Sequence, residues 1–253
     1  MKYTLIIISL ILLFAPYLGA ETKSSSKTEN AEQIIKKMDE NLDYTTIKYN
    51  AEMTIFIGDK IRTKELTAEG VSEGNKAIVT FTNPSDKGTK YLLIGENLWI
   101  YFPEENEVVK ISGHMLKEGM MGSDFSYEDA LESQQLSDKY DINLICEETV
   151  NDRLCYVLDL TAVVKLVQYF HRKMWIDKEY FICWKEEMYA KSGKLLKRAE
   201  VQKIKKIGNR YFPVKTSMKN MLRENSETVF EMFDIFFNEP VPAKIFSIRN
   251  LRK

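Results

Sequence analysis

Along most of the chain apolar and polar residues alternate with a period of two. Thr46 to Ile57 sets the pattern, with Tyr49, Ala51, Met53, Ile55 and Ile57 on one side. Such alternation predicts a strand with one buried face. Gly58-Asp59 reads as a hairpin turn into Lys60–Glu73, and Gly74-Asn75 leads into Ala77–Phe81. A Pro84–Gly88 corner then precedes Thr89–Ile94, Leu98–Phe102 and Glu107–Ile111, so the first half reads as an antiparallel meander with short turns. Ahead of it, Ala31, Ile34, Ile35, Met38 and Leu42 recur at spacings of three and four. That spacing predicts a helix over roughly 29–42, capped by Thr28, whose apolar stripe packs on the sheet.

The alternation stops between Ser112 and Gln135. Met115, Leu116, Met120 and Met121 are apolar, Gly113, Gly119 and Gly122 loosen the backbone, and Ser126 can cap a short helix over Tyr127–Gln134. A segment this apolar is expected to fold back over the sheet rather than stay in solvent. Strands resume at Tyr140–Thr149, Leu154–Thr161, Arg172–Ile176, Phe181–Ala190, Lys194–Lys205, Asn209–Met218 and Glu227–Phe237, with an irregular apolar bridge at 162–167 and an extended tail through Pro240, Pro242 and Phe246. The expectation is a mainly β chain of about eleven strands with a few helices, in one strongly curved antiparallel sheet. No change of composition marks a linker in 28–253, which is expected to be one domain; two units divided near residue 138 are the alternative.

Several strands are apolar on both sides. In 229–237 the odd positions give Val229, Phe233, Ile235 and Phe237, and the even ones Phe230, Met232 and Phe236. The second face can meet protein, as in a sandwich, or line a cavity for a hydrophobic ligand. Parity groups Met53, Ile55 and Ile57 on one face, Val79 and Phe81 on one face, and Trp99 and Tyr101 on one face. With Met115, Leu116, Met120 and Met121 of the insertion, these are the candidate residues of a cavity and its lid. Parity alone does not say which face is concave.

The N-terminus changes the setting. Lys2 precedes an apolar run, Thr4 to Phe14, and Leu18-Gly19-Ala20 supplies a small residue for cleavage. The run is too short to cross ~30 Å of hydrocarbon, so residues 1–20 read as a signal peptide cleaved near Ala20, and 21–27 as a flexible lead-in. No later segment is apolar enough to span a membrane. The protein is expected to be exported to the periplasm. With 36 Lys+Arg against 37 Asp+Glu the charge is near zero, which excludes a globally basic nucleic-acid surface. The three cysteines permit one disulfide, and Cys146 and Cys155 flank a hairpin turn; the alternative is three free thiols.

Chemistry is sparse. There are two histidines, His114 and His171. Ser112 or Ser123, His114 and Asp124 can be assembled into a triad only on paper, since nothing resembles a nucleophile elbow. No phosphate loop, dinucleotide fingerprint or zinc spacing is present. No catalytic residue, metal ligand or cofactor is expected, and the chain does not read as an enzyme. The basic runs Lys194–Lys206 and Ile248–Lys253 read as solvated strand edges, or as a patch for an acidic partner or anionic lipid.

Six stretches carry a family likeness: FTNPSDKGTKYL (Phe81–Leu92), LWIYFP (Leu98–Pro103), MGSDFSYED (Met121–Asp129), WID (Trp175–Asp177), YAKSGKLLK (Tyr189–Lys197) and PVPAKIFS (Pro240–Ser247). Together they resemble the outer-membrane lipoprotein-sorting proteins of the LolA/LolB-like superfamily, in its uncharacterised branch. The resemblance implies an unclosed antiparallel half-barrel with helices as a lid over its concave side, where characterised members hold acyl chains in transit. It implies a carrier or binding protein for lipoprotein acyl chains or other lipids; an envelope membrane protein is a further candidate partner. The alternative function is a non-enzymatic envelope sensor or interaction module of the same fold. The candidate lid of the carrier reading is Met115–Met121.

Overall fold

The computed structural model describes residues 30–131 and 136–253. The expected leader and lead-in, the cap at Thr28, and residues 132–135 of the insertion lie outside the described residues. Thirteen strands form one antiparallel sheet: β1 (Thr46–Ile57), β2 (Lys60–Val71), β3 (Lys76–Phe81), β4 (Lys90–Ile94), β5 (Asn97–Phe102), β6 (Glu107–Ile111), β7 (Tyr140–Val150), β8 (Arg153–Ala162), β9 (His171–Asp177), β10 (Cys183–Tyr189), β11 (Leu195–Ile207), β12 (Arg210–Asn220) and β13 (Ser226–Phe237). Each coincides within a few residues with a segment whose alternation predicts a strand. The curved, unclosed sheet is as expected, with thirteen strands in place of about eleven.

The strand order is β6-β5-β4-β3-β2-β1-β13-β12-β11-β10-β9-β8-β7. Two meanders are zipped together by β1 and β13, the first strand and the last. This pairing leaves β6 and β7 at opposite edges, although they are consecutive in sequence. The segment joining them therefore has to cross the whole sheet. It crosses the inner face as a 3-10 turn at Gly113–Lys117, a second at Met120–Gly122, and two short helices, α2 (Tyr127–Leu131) and α3 (Leu136–Lys139). A helix, α1 (Ala31–Glu40), precedes the sheet.

Asn30 caps α1: its side chain accepts from the Gln33 backbone N–H, and the Gln33 side chain accepts from that of Asn30. The predicted stripe of Ala31, Ile34, Ile35 and Met38 is buried against Tyr156, Leu158, Leu160, Met174 and Ile176. The helix thus covers the β8–β9 part of the inner face. The crossing segment covers the other half, where Leu116, Met120, Met121, Tyr127 and Leu131 pack on residues of β1 to β6.

The outer face is covered only in part. The C-terminal tail turns back after β13 and ends in α4 (Ile248–Leu251), seating Phe246 and Leu251 on Ile78, Leu92 and Tyr101. Strand β13 carries a bulge around Asp234, whose φ is 50°. Met232 faces Ala51, whereas Phe237 faces Ile47. The extra residue brings Phe230, Met232, Ile235 and Phe237 together on the inner side and leaves Phe233 and Phe236 exposed. Simple odd–even parity along this strand fails for that reason.

Candidate functional site

Between the sheet and its two covers lies a cavity of about 220 Å³, lined mainly by apolar side chains. α1 contributes Met38, the crossing segment Met120 and Phe125, and the sheet supplies Met53, Val79, Phe81, Leu98, Met174, Met188, Phe212, Met218, Phe230 and Met232. Five of these thirteen side chains are thioethers on the sheet and two more come from the covers, so much of the wall is adaptable.

Of the candidate residues, Met53, Val79, Phe81 and Met120 lie on the cavity wall. Ile55 and Ile57 share the inner face and pack in the same cluster outside the lining. Leu116 and Met121 press on that cluster from the crossing segment, while Met115 is exposed on its outer side. Trp99 and Tyr101 are corrected: register places Leu98 and Ile100 inward, so their neighbours point to the outer face and pack with Ile245, Phe246 and Leu251 of the tail. The tyrosines Tyr44, Tyr49 and Tyr91 on the wall were not anticipated. Burial pushes all three hydroxyls well above the ordinary tyrosine range, so they remain neutral. Extending the parity of Met53 to Tyr49, and of Val79 across the register to Tyr91, was the available signal.

One end of the cavity is polar. Arg172 Nη1 donates to Glu186 Oε1 at 2.7 Å, and its Nε donates to the Tyr140 hydroxyl at 3.2 Å. Lys197 Nζ donates to Asp129 Oδ2 at 2.5 Å and to Ser126 Oγ at 3.3 Å, while the Tyr169 hydroxyl donates to Asp129 Oδ1 at 2.6 Å. A serine beside a lysine invites comparison with a nucleophile–base pair. Here the ammonium is engaged by a carboxylate and donates to the serine oxygen, the wrong direction for removing the serine proton. The network instead ties α2 to β11 and to the loop before β9.

A second fastening uses the MGSDF stretch. Asp124 is buried; its carboxylate accepts from the Ser226 and Thr228 hydroxyls, the latter at 2.9 Å, and its backbone N–H donates to Thr228 Oγ1 at 2.9 Å. The chain reaches it through a tight turn. A Cβ on Gly119 would lie 2.1 Å from the Ser123 carbonyl oxygen, and Met121 has φ 54°. The corner at Asn83–Gly88 is fastened similarly, with Lys64 Nζ 2.6 Å from Asp86 Oδ2. In WID, Asp177 is fully buried and accepts from Arg153, Trp184 and the backbone N–H groups of Glu179 and Tyr180. The family-like stretches therefore largely hold the fold.

The histidines stand apart from the cavity: His114 is exposed, and His171 Nδ1 lies 3.1 Å from Thr161 Oγ1. Of the two readings of the cysteines, the structure has three free thiols and no Cys146–Cys155 disulfide. Cys155 pairs with Glu148 and Cys146 with Val157, which makes the two cysteines diagonal neighbours. Diagonal neighbours lie about 7–8 Å apart, beyond the ~6 Å that commonly separates the Cα atoms of a disulfide.

The family model that matches covers residues 73–253 and is described as an "-like: Uncharacterized protein". No curated protein matches the sequence. Among solved structures, a DUF1329 family protein from Desulfovibrio piger is similar over 88% of this chain and 100% of its own, at 26% identity and TM-score 0.81. A domain provisionally described as an outer membrane lipoprotein-sorting protein, from Vibrio parahaemolyticus, is similar over 87% and 97%, at 23% identity and TM-score 0.77. A LolA superfamily protein from Nitrosomonas europaea is similar over 88% and 99%, at 23% identity and TM-score 0.72.

Proposed function

We propose, for a chain that belongs to this family of uncharacterized proteins and has the fold of the LolA lipoprotein-sorting superfamily, that it is a periplasmic, non-enzymatic carrier or binding protein for lipoprotein acyl chains or other lipids. The observation that carries the reading is the covered cavity: a largely apolar space walled by one continuous sheet and roofed by two separate elements. The leader expected at residues 1–20 would deliver such a carrier across the inner membrane.

Size sets the mechanism. A cavity of about 220 Å³ exceeds the ~150 Å³ that takes up benzene in an engineered core, yet it holds only part of an acyl chain. Each buried methylene gains about 0.8 kcal/mol, so a longer cargo favours whatever movement enlarges the space. The crossing segment is the element suited to move. Its 113–117 part is held mainly by apolar contacts, whereas 118–120 is bridged to 125–127 through backbone hydrogen bonds and 124–129 is tied by buried ones. Opening at the first part while the second stays fixed would admit a chain, and contact with an envelope acceptor would release it.

The test is to express the protein with its leader in a membrane-containing host, purify the mature chain from the periplasm, and identify extracted ligands by mass spectrometry. Lipid at near-stoichiometric amounts is expected, with depletion in a Met53→Glu variant that remains folded. Repeated recovery without lipid, together with no uptake of a fluorescent fatty acid by the purified protein, overturns the reading.

A further inference from the structure

The turns of an antiparallel sheet alternate between its two rims, and here the rims differ. One rim carries the β8–β9 loop, the β12–β13 turn and the β1–β2 turn. These hold Val163 at 64%, Val164 at 39%, Leu166 at 94%, Met221 at 43%, Leu222 at 56% and Ile61 at 63% exposure. That is six of the thirteen large apolar residues exposed among the described residues. On the opposite rim the turns at 72–75, 95–96, 151–152, 178–182 and 208–209 carry none among the described residues, and the exposed apolar residues near it are two at strand ends, Leu154 and Phe236.

Basic residues share the apolar rim. Lys165 sits between Val164 and Leu166, Lys191 and Lys194 occupy the β10–β11 turn between the two apolar tips, and Lys60 adjoins Ile61. All four lysines are exposed, and none forms an ion pair among the described residues. Asp59, Asp138 and Glu224 are acids interspersed on this stretch. An aqueous surface has no use for Leu166 fully exposed at a loop tip, and a protein core would not accept the lysines beside it. A bilayer interface accepts both: apolar tips enter the acyl boundary while ammonium groups stay level with anionic head groups.

We infer that this rim is a docking surface for a lipid bilayer containing anionic phospholipid. The position suits it. Arg223, in the β12–β13 turn, donates to the Gly122 carbonyl at 3.2 Å, so the rim touches the crossing segment that roofs the cavity. Docking would place the roof at the membrane surface. The inference stands on the rim alone and does not require the cavity to bind lipid.

The test is flotation of the mature protein with phosphatidylcholine vesicles, with and without about one third phosphatidylglycerol, at low and high salt. Binding is expected on the anionic vesicles and should weaken with salt. Lys165→Gln/Lys191→Gln/Lys194→Gln should lose at least about tenfold in affinity for anionic vesicles. Val163→Ser/Val164→Ser/Leu166→Ser should lose binding while retaining salt sensitivity of what remains. The substituted side chains are exposed, and circular dichroism and the lipid content of the cavity should match the parent protein. Failure of the parent to bind anionic vesicles overturns the inference, as does parent-like binding by both variants. Loss of cavity lipid with vesicle binding intact would count against the carrier reading alone.

Discussion

Asp124→Ala tests whether the crossing segment is a fastened roof. The carboxylate is buried and is the acceptor for the hydroxyls of Ser226 and Thr228, with Arg223 Nη1 a further 3.8 Å from Oδ1. A hydrogen bond to a charged group is worth about 1.5–3 kcal/mol, and there are two. Part of that loss is offset, because the substitution also removes a buried charge and the hydroxyls can rotate toward other acceptors. A net cost of ~2–4 kcal/mol follows, which should fall on the local equilibrium that lifts the segment from β13. At 1.4 kcal/mol per tenfold, opening becomes about 30- to 700-fold more frequent. Hydrogen exchange read by mass spectrometry should show that loss of protection in peptides covering 112–125, with β1 peptides unchanged, and a fluorescent fatty acid should enter the cavity faster. Unchanged exchange in 112–125, or an equal fall in β1, refutes the reasoning, since either means that Asp124 does not govern the roof.

Asp177 predicts acid sensitivity. Burial alone raises its pKa, but hydrogen bonds from Arg153, Trp184 and two backbone N–H groups outweigh it and bring the value to about 2. Because the folded value lies below the ordinary one, its ~2 kcal/mol is present above about pH 4 and is lost as pH falls toward 2; urea titrations of Asp177→Asn should be flatter over that interval. Phe81→Ala, at a side chain 1% exposed on the cavity wall, should cost ~3–5 kcal/mol in chemical denaturation and widen the cavity. Trp99→Ala should leave fatty-acid uptake unchanged while loosening the tail, seen as faster proteolysis after residue 240. In the native protein a thiol reagent should modify Cys146 promptly. Cys155, whose burial pushes its pKa to about 11, and Cys183, raised well above the ordinary range by burial, should react only on unfolding, giving three thiols in total.

The alternation of Tyr49, Ala51, Met53 and Ile55 was enough to define a strand and its buried side, because a period of two has one geometric meaning in an extended chain. The stripe from Ala31 to Met38 likewise defined a helix and its packing face. The break at Ser112–Gln135 was legible as a segment too apolar for solvent. The sequence did not say where that segment had to go. That depends on β1 pairing with β13, a contact across nearly the whole chain that sends β6 and β7 to opposite edges and draws the connection over the inner face. Concavity was decided at the same level, which is why Trp99 and Tyr101 fell outside and Tyr49 and Tyr91 fell inside. The bulge at Asp234 shows the limit most plainly: one extra residue exchanges the faces of every side chain after it, and local periodicity carries no record of a partner strand's register. By itself the sequence determined the elements and their apolar sides. Only the tertiary structure decided which sides meet to enclose a cavity, because enclosure is a property of pairings between residues far apart in the chain.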